Sequence, residues 1–365
     1  MSSSDVSVIG GGVIGLAVAA TLRDRGVDVV CFERGEPGEG QSAGRTRQFR
    51  HLHADPKLIA LAVQARDGWL EWEERFGRTL LGNEGALRVG ATQHELEVLR
   101  AAGVPAVEVD RYEARDLFAI ATLPDAMLCF DPRAGAIRAH DTAAALAGHL
   151  GAALRRADVG SIAVDGDSVM LETSDGVHHS GRCVVCAGAG TDRLVRPLGF
   201  DVHQLRQAHV RLAFRAEVTP REPLPCFSDR TAAADEVVYA LSDLGDRYAV
   251  GLADVFTYPE IEDLASDLPP GVDVSDQRER IIAYVRRVLV GLDPEPVGEV
   301  FRLTTTLPDC PDDGYRVWSE GPVVAVAGPN LFKFAPVIGE QLAAAVTGAS
   351  AAVSTAPGTP VAPSR

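Results

Sequence analysis

A chain of 365 residues with 46% apolar side chains has enough material for two domains of ordinary size and a large core. Acidic residues outnumber basic ones, 51 to 35, and the net charge of −16 repels phosphate backbones and anionic lipid, which sets aside nucleic acid and a membrane surface as partners. The basic side is almost entirely arginine, since only Lys57 and Lys333 are lysines.

The N-terminal residues 1 to 5 carry no basic region ahead of the first apolar stretch, and three consecutive glycines break that stretch. It therefore reads as neither a signal peptide nor a membrane span, and a cytoplasmic protein is expected. Residues 6 to 9 (VSVI) form a strand pattern, GGG follows, and VIGLAVAATLRDRG is a helical pattern ending at Gly26. A second strand, VDVVCFER, completes a β-α-β unit. Gly10, Gly12 and Gly15 fall between strand and helix in the spacing GxGxxG, and Glu33 ends the second strand 21 residues after Gly12. This is a dinucleotide fingerprint in its proper context. The first glycine permits a tight turn, the second admits a pyrophosphate to the backbone, and the third brings helix and strand together. The acid accepts hydrogen bonds from ribose hydroxyls, which fits NAD or the adenosine half of FAD.

Residues 35 to 53 show no strand pattern and read as a polar, glycine-containing loop carrying Arg45, Arg47 and Arg50. A NAD-dependent dehydrogenase would continue here with further β-α units. A long helix is predicted over 56 to 76, with Trp69 and Trp72 on one face as core residues. From about Thr142 a helix (AAALAGHLG), a strand (ALRRADVGSIAVD), a second strand (DSVMLETSDG) and a third (RCVVCAGAG) return to a Rossmann-like pattern. Cys183 and Cys186 lie in that third strand and read as buried thiols; the six cysteines, scattered through 31, 129, 183, 186, 226 and 310, make no disulfide framework. Residues 205 to 255 are rich in strand patterns, an amphipathic helix is expected over 276 to 292, and a strand (321 to 328), a short loop (PNLFKF) and a helix from Ala335 close the ordered part. The Ala/Ser/Thr/Pro composition after Gly348 predicts a disordered tail, 349–365. His51 and His53 are two apart in a polar loop and His178 and His179 are adjacent, neither a helical ligand spacing, so no metal site is expected and these histidines read as surface or turn residues.

The segments VSVIGGGVIGLAVAATL with Glu33, GRTRQFRH (44 to 51), AIRAHD (136 to 141), DSVMLETSDGVHHSGRCVVCAGAG and AVAGPNLFKFAPVIGE, in this order, resemble the flavin amine oxidases of the D-amino-acid oxidase superfamily, and most closely the monomeric sarcosine oxidase branch. The resemblance implies an α/β protein whose Rossmann-like FAD-binding domain (1–79, 140–203 and 316–348) is interleaved with an antiparallel-sheet substrate domain of α+β type (80–139 and 204–315). FAD contacts fall by resemblance on Gly10, Gly12, Val13, Ile14, Gly15, Glu33 and Arg34 in the first unit and on Ser42, Thr46 and Arg47 in the loop. Further contacts fall on Val159, Ala187 and Gly188, and on Gly328, Asn330, Leu331, Phe332 and Lys333 near the end.

Arg50 and Lys333 match the pair that holds the substrate carboxylate in that branch, and Arg47 matches an arginine beside the flavin ring. Two cations can grip an α-carboxylate as a fork and so place the substrate's Cα–H over the flavin. Arginine is so abundant here that the two arginine matches are modest signals, whereas Lys333 is one of two lysines. Tyr239 is the best polar candidate in the substrate sheet. Where many members carry a cysteine linked to the flavin, this chain aligns Arg302, with Cys310 beyond it, so the FAD is expected to be non-covalent. The strand 248–254 lacks the lysine that promotes reaction with oxygen, leaving Arg302 or Arg247 to supply positive charge and leaving open whether oxygen or another acceptor takes the electrons. The expected activity is oxidation of the C–N bond of a small, carboxylate-bearing secondary or cyclic amine. The alternatives are a flavin-dependent 2-hydroxy acid dehydrogenase or oxidase, and a nicotinamide-dependent dehydrogenase or non-catalytic nucleotide-binding module.

Overall fold

The computed structural model describes residues 2–217, 223–233, 236–253, 256–258, 273–310 and 313–348; the expected disordered tail, 349–365, lies outside them. Chain order runs β1 (Ser2–Ile9), α1 (Val13–Asp24), β2 (Val29–Glu33), β3 (Thr46–Phe49), α2 (Pro56–Phe76), β4 (Ala86–Val89), α3 (Gln93–Ala101), β5 (Val107–Val109), α4 (Arg111–Leu117), β6 (Leu128–Asp131), β7 (Gly135–Arg138) and α5 (Ala139–Leu150). It continues with β8 (Leu154–Arg156), β9 (Val159–Asp165), β10 (Ser168–Thr173), β11 (Gly176–Val185), α6 (Thr191–Val195), β12 (Leu205–Arg215), β13 (Cys226–Ala233), β14 (Glu236–Ser242), β15 (Arg247–Leu252) and β16 (Phe256–Tyr258). The last elements are α7 (Ser275–Arg287), β17 (Gly298–Thr306), β18 (Arg316–Glu320), β19 (Val323–Ala327) and α8 (Ala335–Thr347).

Among the described residues these strands make one sheet of eight, one of nine and a two-stranded ribbon. The first sheet is ordered β18-β19-β11-β1-β2-β8, with β10 joining β11 to β9. Its centre is parallel, β1 pairing with β2 and β11, and β11 with β19. Central parallel strands are covered on both faces and so read as continuous apolar runs, as VVCFE and VVAVA do here. Helix α1 is buried from Val13 to Leu22 because it lies under α8, where a Cβ on Gly339 would come within 2.9 Å of Ala17. Small residues at this contact are what let the two helices approach so closely. The second sheet is ordered β16-β12-β15-β14-β13-β4-β6-β5, with β17 on β12, and all its pairings are antiparallel except β13 with β4.

Helix α2 has the span its sequence predicts, with both ends specified by local chemistry. The Asp55 side chain accepts from the Lys57 N–H at 2.9 Å, Pro56 starts the helix, and Gly77 at φ +60 ends it in the left-handed region. Trp69 and Trp72 are core residues, packed edge to face at 5.2 Å between ring centroids.

Three expectations about elements need correction. Residues 46 to 49, read as loop, form β3, which pairs with β7 so that Thr46 faces Arg138 and Phe49 faces Gly135. The single strand expected over 153 to 165 is two: β8 pairs with β2, Ala157 then gives its N–H to the Glu33 carbonyl, and β9 pairs with β10. The amphipathic helix α7 closes at Arg287, five residues before the expected end.

Candidate active site

The end of β1 builds a cradle by excluding side chains. Gly10 sits at φ +104, and a Cβ there would lie 2.5 Å from the Cys186 carbonyl oxygen. At Gly15 a Cβ would lie 1.9 Å from the Gly10 oxygen. Gly12 offers no side-chain cap to α1, and Ser42 supplies one from the loop, its Oγ accepting the Val13 N–H at 3.0 Å. Glu33 fixes the turn as well, accepting from the Gly11 N–H at 2.6 Å and the Gly35 N–H at 2.8 Å. The remaining amides at this helix N-terminus suit an anionic ligand group.

From this cradle a cavity of about 860 Å³ runs to Lys333. Its size lies near the top of the range of roughly 300–1,000 Å³ typical of ligand and cofactor pockets. Gly10, Gly12, Val13, Ile14, Glu33, Arg34 and Ser42 line one end, Val159, Ala187 and Gly188 the side, and Gly328, Asn330, Leu331, Phe332 and Lys333 the other end. Two buried donors on its wall, Gln41 Nε2 and Arg211 Nε, have no hydrogen-bond partner among the described residues. Buried donors without partners are rare in folded proteins, so their presence beside a long cavity fits a polar cofactor.

At the far end the residues Leu331–Phe334 form a 3₁₀ turn, entered through Asn330 at φ +50. The Trp69 indole N–H donates to the Lys333 carbonyl at 2.8 Å and so ties this turn to α2. Lys333 and Arg50, predicted as a pair, do meet, and they meet on a carboxylate of the protein itself. Asp313 Oδ2 pairs with Lys333 Nζ and lies 2.8 Å from Arg50 Nη2 and 3.4 Å from His53 Nδ1, while its Oδ1 accepts from Asn330 Nδ2 at 2.8 Å. Burial would push the Asp313 pKa up, but Lys333, Arg50 and His53 outweigh it and hold the carboxyl well below the usual range.

Arg47 lies over the Phe332 ring, 5.4 Å from its centroid, and donates to the carbonyls of Thr46, Gln41 and Ala43. Burial pushes its pKa down, and Arg211 beside it adds to the effect. The nine-stranded sheet contributes Gln207, His209 and Arg211 from β12, two apart and therefore on one face, together with Tyr239 from β14. Tyr239 lies over the backbone of Gly251, where a Cβ would come 2.6 Å from its hydroxyl, and meets His209 edge to face at 6.1 Å.

Several predicted residues sit elsewhere. Thr46 is buried away from the cavity with its hydroxyl on Asp243 at 3.1 Å, and Gly15 packs helix against strand without lining the cavity. Arg247 is four residues from Gly251 along β15 and outside the cavity wall. Arg302 occupies the register position opposite His209, and its side chain lies outside the described residues. The histidines read as surface residues are largely interior. His51 and His53 are 1% and 4% exposed, His51 Nδ1 lying 2.7 Å from Asp131 Oδ2, and His178 on β11 is buried with its Nε2 3.0 Å from Ser4 Oγ. Asp313 and Arg211 were missed: the first sits in a Pro/Asp turn and the second is one arginine among many. Cys183 and Cys186 are buried thiols, as read, and burial pushes both pKa values up.

Among the described residues no group of three or more His, Cys, Asp or Glu could hold a metal, and no helix is long and apolar enough to cross a membrane. A family model described as DAO, FAD dependent oxidoreductase, matches residues 5–345. Glycine oxidase of Geobacillus kaustophilus is 29% identical over 271 residues, 68% of this chain and 69% of that protein. N-methyl-L-tryptophan oxidase of Salmonella dublin is 23% identical over 357 residues, 92% of each. An open form of NikD, described as an unusual amino acid oxidase essential for nikkomycin biosynthesis, has the same fold with a TM-score of 0.84 at 24% identity, covering 96% of both chains.

Proposed function

The chain belongs to the DAO family of FAD dependent oxidoreductases, and on that premise we propose that it oxidises the C–N bond of a small amino or imino acid, a secondary or cyclic amine, to an imine. The observation that carries this reading is the convergence of Arg50 and Lys333 on a single carboxylate oxygen beside Phe332, in the wall of the cavity. That geometry is what holding a substrate's α-carboxylate requires. FAD, when bound, would supply the acceptor for the hydride removed from the substrate's Cα. The chain's own residues bind and orient. Arg50 and Lys333 grip the carboxylate, Tyr239 borders the chamber on the substrate-sheet side, and the low exposure of the Lys333 end of the cavity disfavours the charged ammonium form of the amine.

Gly10, Gly12, Glu33 and Ser42 would hold the pyrophosphate and adenosine end, and Phe332 with Arg47 would border the ring end. Non-covalent FAD is supported by Cys186 being the cysteine that lines the cavity, since it lies against Gly10 and far along the cleft from Lys333. We assign 1–79, 140–203 and 316–348 to the FAD-binding domain and 80–139 with 204–315 to the substrate domain. Membership of the eight- and nine-stranded sheets supports that division, and the β3–β7 ribbon spans it. Free cysteines throughout support a reducing, cytoplasmic compartment. The electron acceptor is oxygen or another oxidant, with Arg211 and Arg47 among the cations on the wall.

The test is an anaerobic flavin-reduction screen over N-methyl and cyclic amino acids, primary amino acids and 2-hydroxy acids, followed by admission of air. Bleaching by the secondary or cyclic amino acids is expected. Bleaching by 2-hydroxy acids alone would overturn the reading, and the air step tells oxidase from dehydrogenase.

A further inference from the structure

Resting on the reading of Arg50 and Lys333 as the receptor for the substrate's carboxylate, we propose that Asp313 is a specificity-determining residue. It is a resident carboxylate that shares this fork and limits the preference of the site for a carboxylate ligand over its neutral amide. The fork carries two cations and already contains one anion. Lys333 and Asp313 are 6% and 5% exposed at their side chains, so solvent does little to screen them from a third charged group. Arg50 is 33% exposed, and Arg50, Asp313 and Lys333 all line the cavity. An incoming carboxylate therefore joins Asp313 on the same two cations.

Asp313 is held on both oxygens. Asn330 donates to Oδ1, and Lys333 and Arg50 share Oδ2, with His53 3.4 Å away. A group tied by partners on two separate segments, the loop at Arg50 and His53 and the turn from Asn330 to Lys333, stays in place while a ligand binds, so its negative charge is part of the receptor. The contrast with the neighbouring cations is informative. Among the described residues Arg47 and Arg211 form no ion pair, and their partners are backbone carbonyls. Elsewhere on this wall Arg88 and Arg230 share Glu95, and Asp313 is the anion on the two cations that meet the substrate's acid group. Two carboxylates brought within a few ångströms at a buried site repel strongly enough to change a binding constant by about tenfold or more. A carboxamide, uncharged but of the same shape, escapes that repulsion.

Cyclopentanecarboxylate and cyclopentanecarboxamide make a suitable pair of probes, since both lack an oxidisable amine. Their dissociation constants are measured on the holoenzyme by calorimetry at neutral pH. In the wild type the carboxylate is expected to bind less than about tenfold more tightly than the amide. In Asp313→Asn the ratio rises by about tenfold or more, while Asp313→Glu keeps a ratio near the wild-type one. A merely structural role for Asp313 would weaken both probes together and leave the ratio where it was. A wild-type ratio above about a hundred overturns the proposal without any variant, so the test stands even if Asp313→Asn loses its flavin. An unchanged ratio in a flavin-loaded Asp313→Asn overturns it equally. Arg50→Ala and Lys333→Met separate the two levels of the argument: if neither lowers the ratio, the fork reading fails, and if both do while Asp313→Asn is silent, the fork stands and the resident carboxylate falls.

Discussion

The indole N–H of Trp69 donates to the carbonyl of Lys333 across 2.8 Å, so the cavity's one lysine is positioned by a helix that starts at Pro56 and packs on the same turn through the stacking of Trp69 on Phe332. Replacing Trp69 with Phe keeps most of the packing and removes the donor, leaving a buried carbonyl unsatisfied at a cost of about 1–3 kcal/mol. The expected outcome is a lower melting temperature of the holoenzyme together with weaker binding of small carboxylates. A variant that loses stability but binds carboxylates as before would show that the turn holds its shape without Trp69.

Gly15→Ala forces a Cβ to within 1.9 Å of the Gly10 oxygen, a backbone atom with no room to retreat. The protein should purify colourless, and added FAD should not restore the flavin absorbance. Gly26→Ala is the control: its φ of +75 makes alanine unfavourable, but nothing lies within 4 Å of the new methyl, so that variant should remain yellow.

Loss of either arm of the fork leaves the other cation paired with Asp313. For Arg50→Ala and Lys333→Met measured separately, carboxylate affinity should fall by about 2–5 kcal/mol, the range for truncating one partner of a buried charged contact. Wild-type affinity in both variants would remove these residues from the substrate site.

The Asp313 carboxyl is held below its ordinary value of 3.8, so it binds its proton more weakly in the folded chain than in the unfolded one. Its stabilising contribution is therefore complete above about pH 4 and is lost as the pH falls through the folded value. Urea titrations of the wild type and of Asp313→Asn should give a stability difference that is flat from pH 7 to about 4.5 and narrows below that. A difference independent of pH down to 3 would place its origin in something other than the charge.

Burial pushes the thiols of Cys31, Cys183 and Cys186 up, and that of Cys129 up to about 11. Thiolates are the reactive form, so a thiol reagent at pH 8 should label none of the six cysteines in the native protein and all six in denaturant. Rapid native labelling at Cys183 or Cys186 would revive a redox role for that pair.

Much of the cofactor half was legible because its signals are local. Gly10, Gly12, Gly15 and Glu33 lie within one β-α-β unit, and the caps of α2 are adjacent to the residues they cap. Lys333 was legible for a statistical reason, the scarcity of lysine. Asp313 was not, because its partners lie 263 residues away at Arg50 and 20 residues away at Lys333, and nothing local distinguishes it from any other aspartate in a turn. His51 and His53 were misread for the same reason: a polar loop is exposed unless distant carboxylates come to meet it, as Asp131 and Asp313 do. The four residues of β3 have too little pattern to declare a strand until β7 lies beside them.

The burial of Lys333 also changes what reagents can reach. The chain has two lysine side chains, Lys57 exposed at the start of α2 and Lys333 closed inside the ion pair with Asp313. Among its lysine side chains, an amine-selective reagent thus meets one open address and one guarded one. Attachment through Lys57 would orient every molecule on a surface the same way, with the chamber around Lys333 chemically untouched.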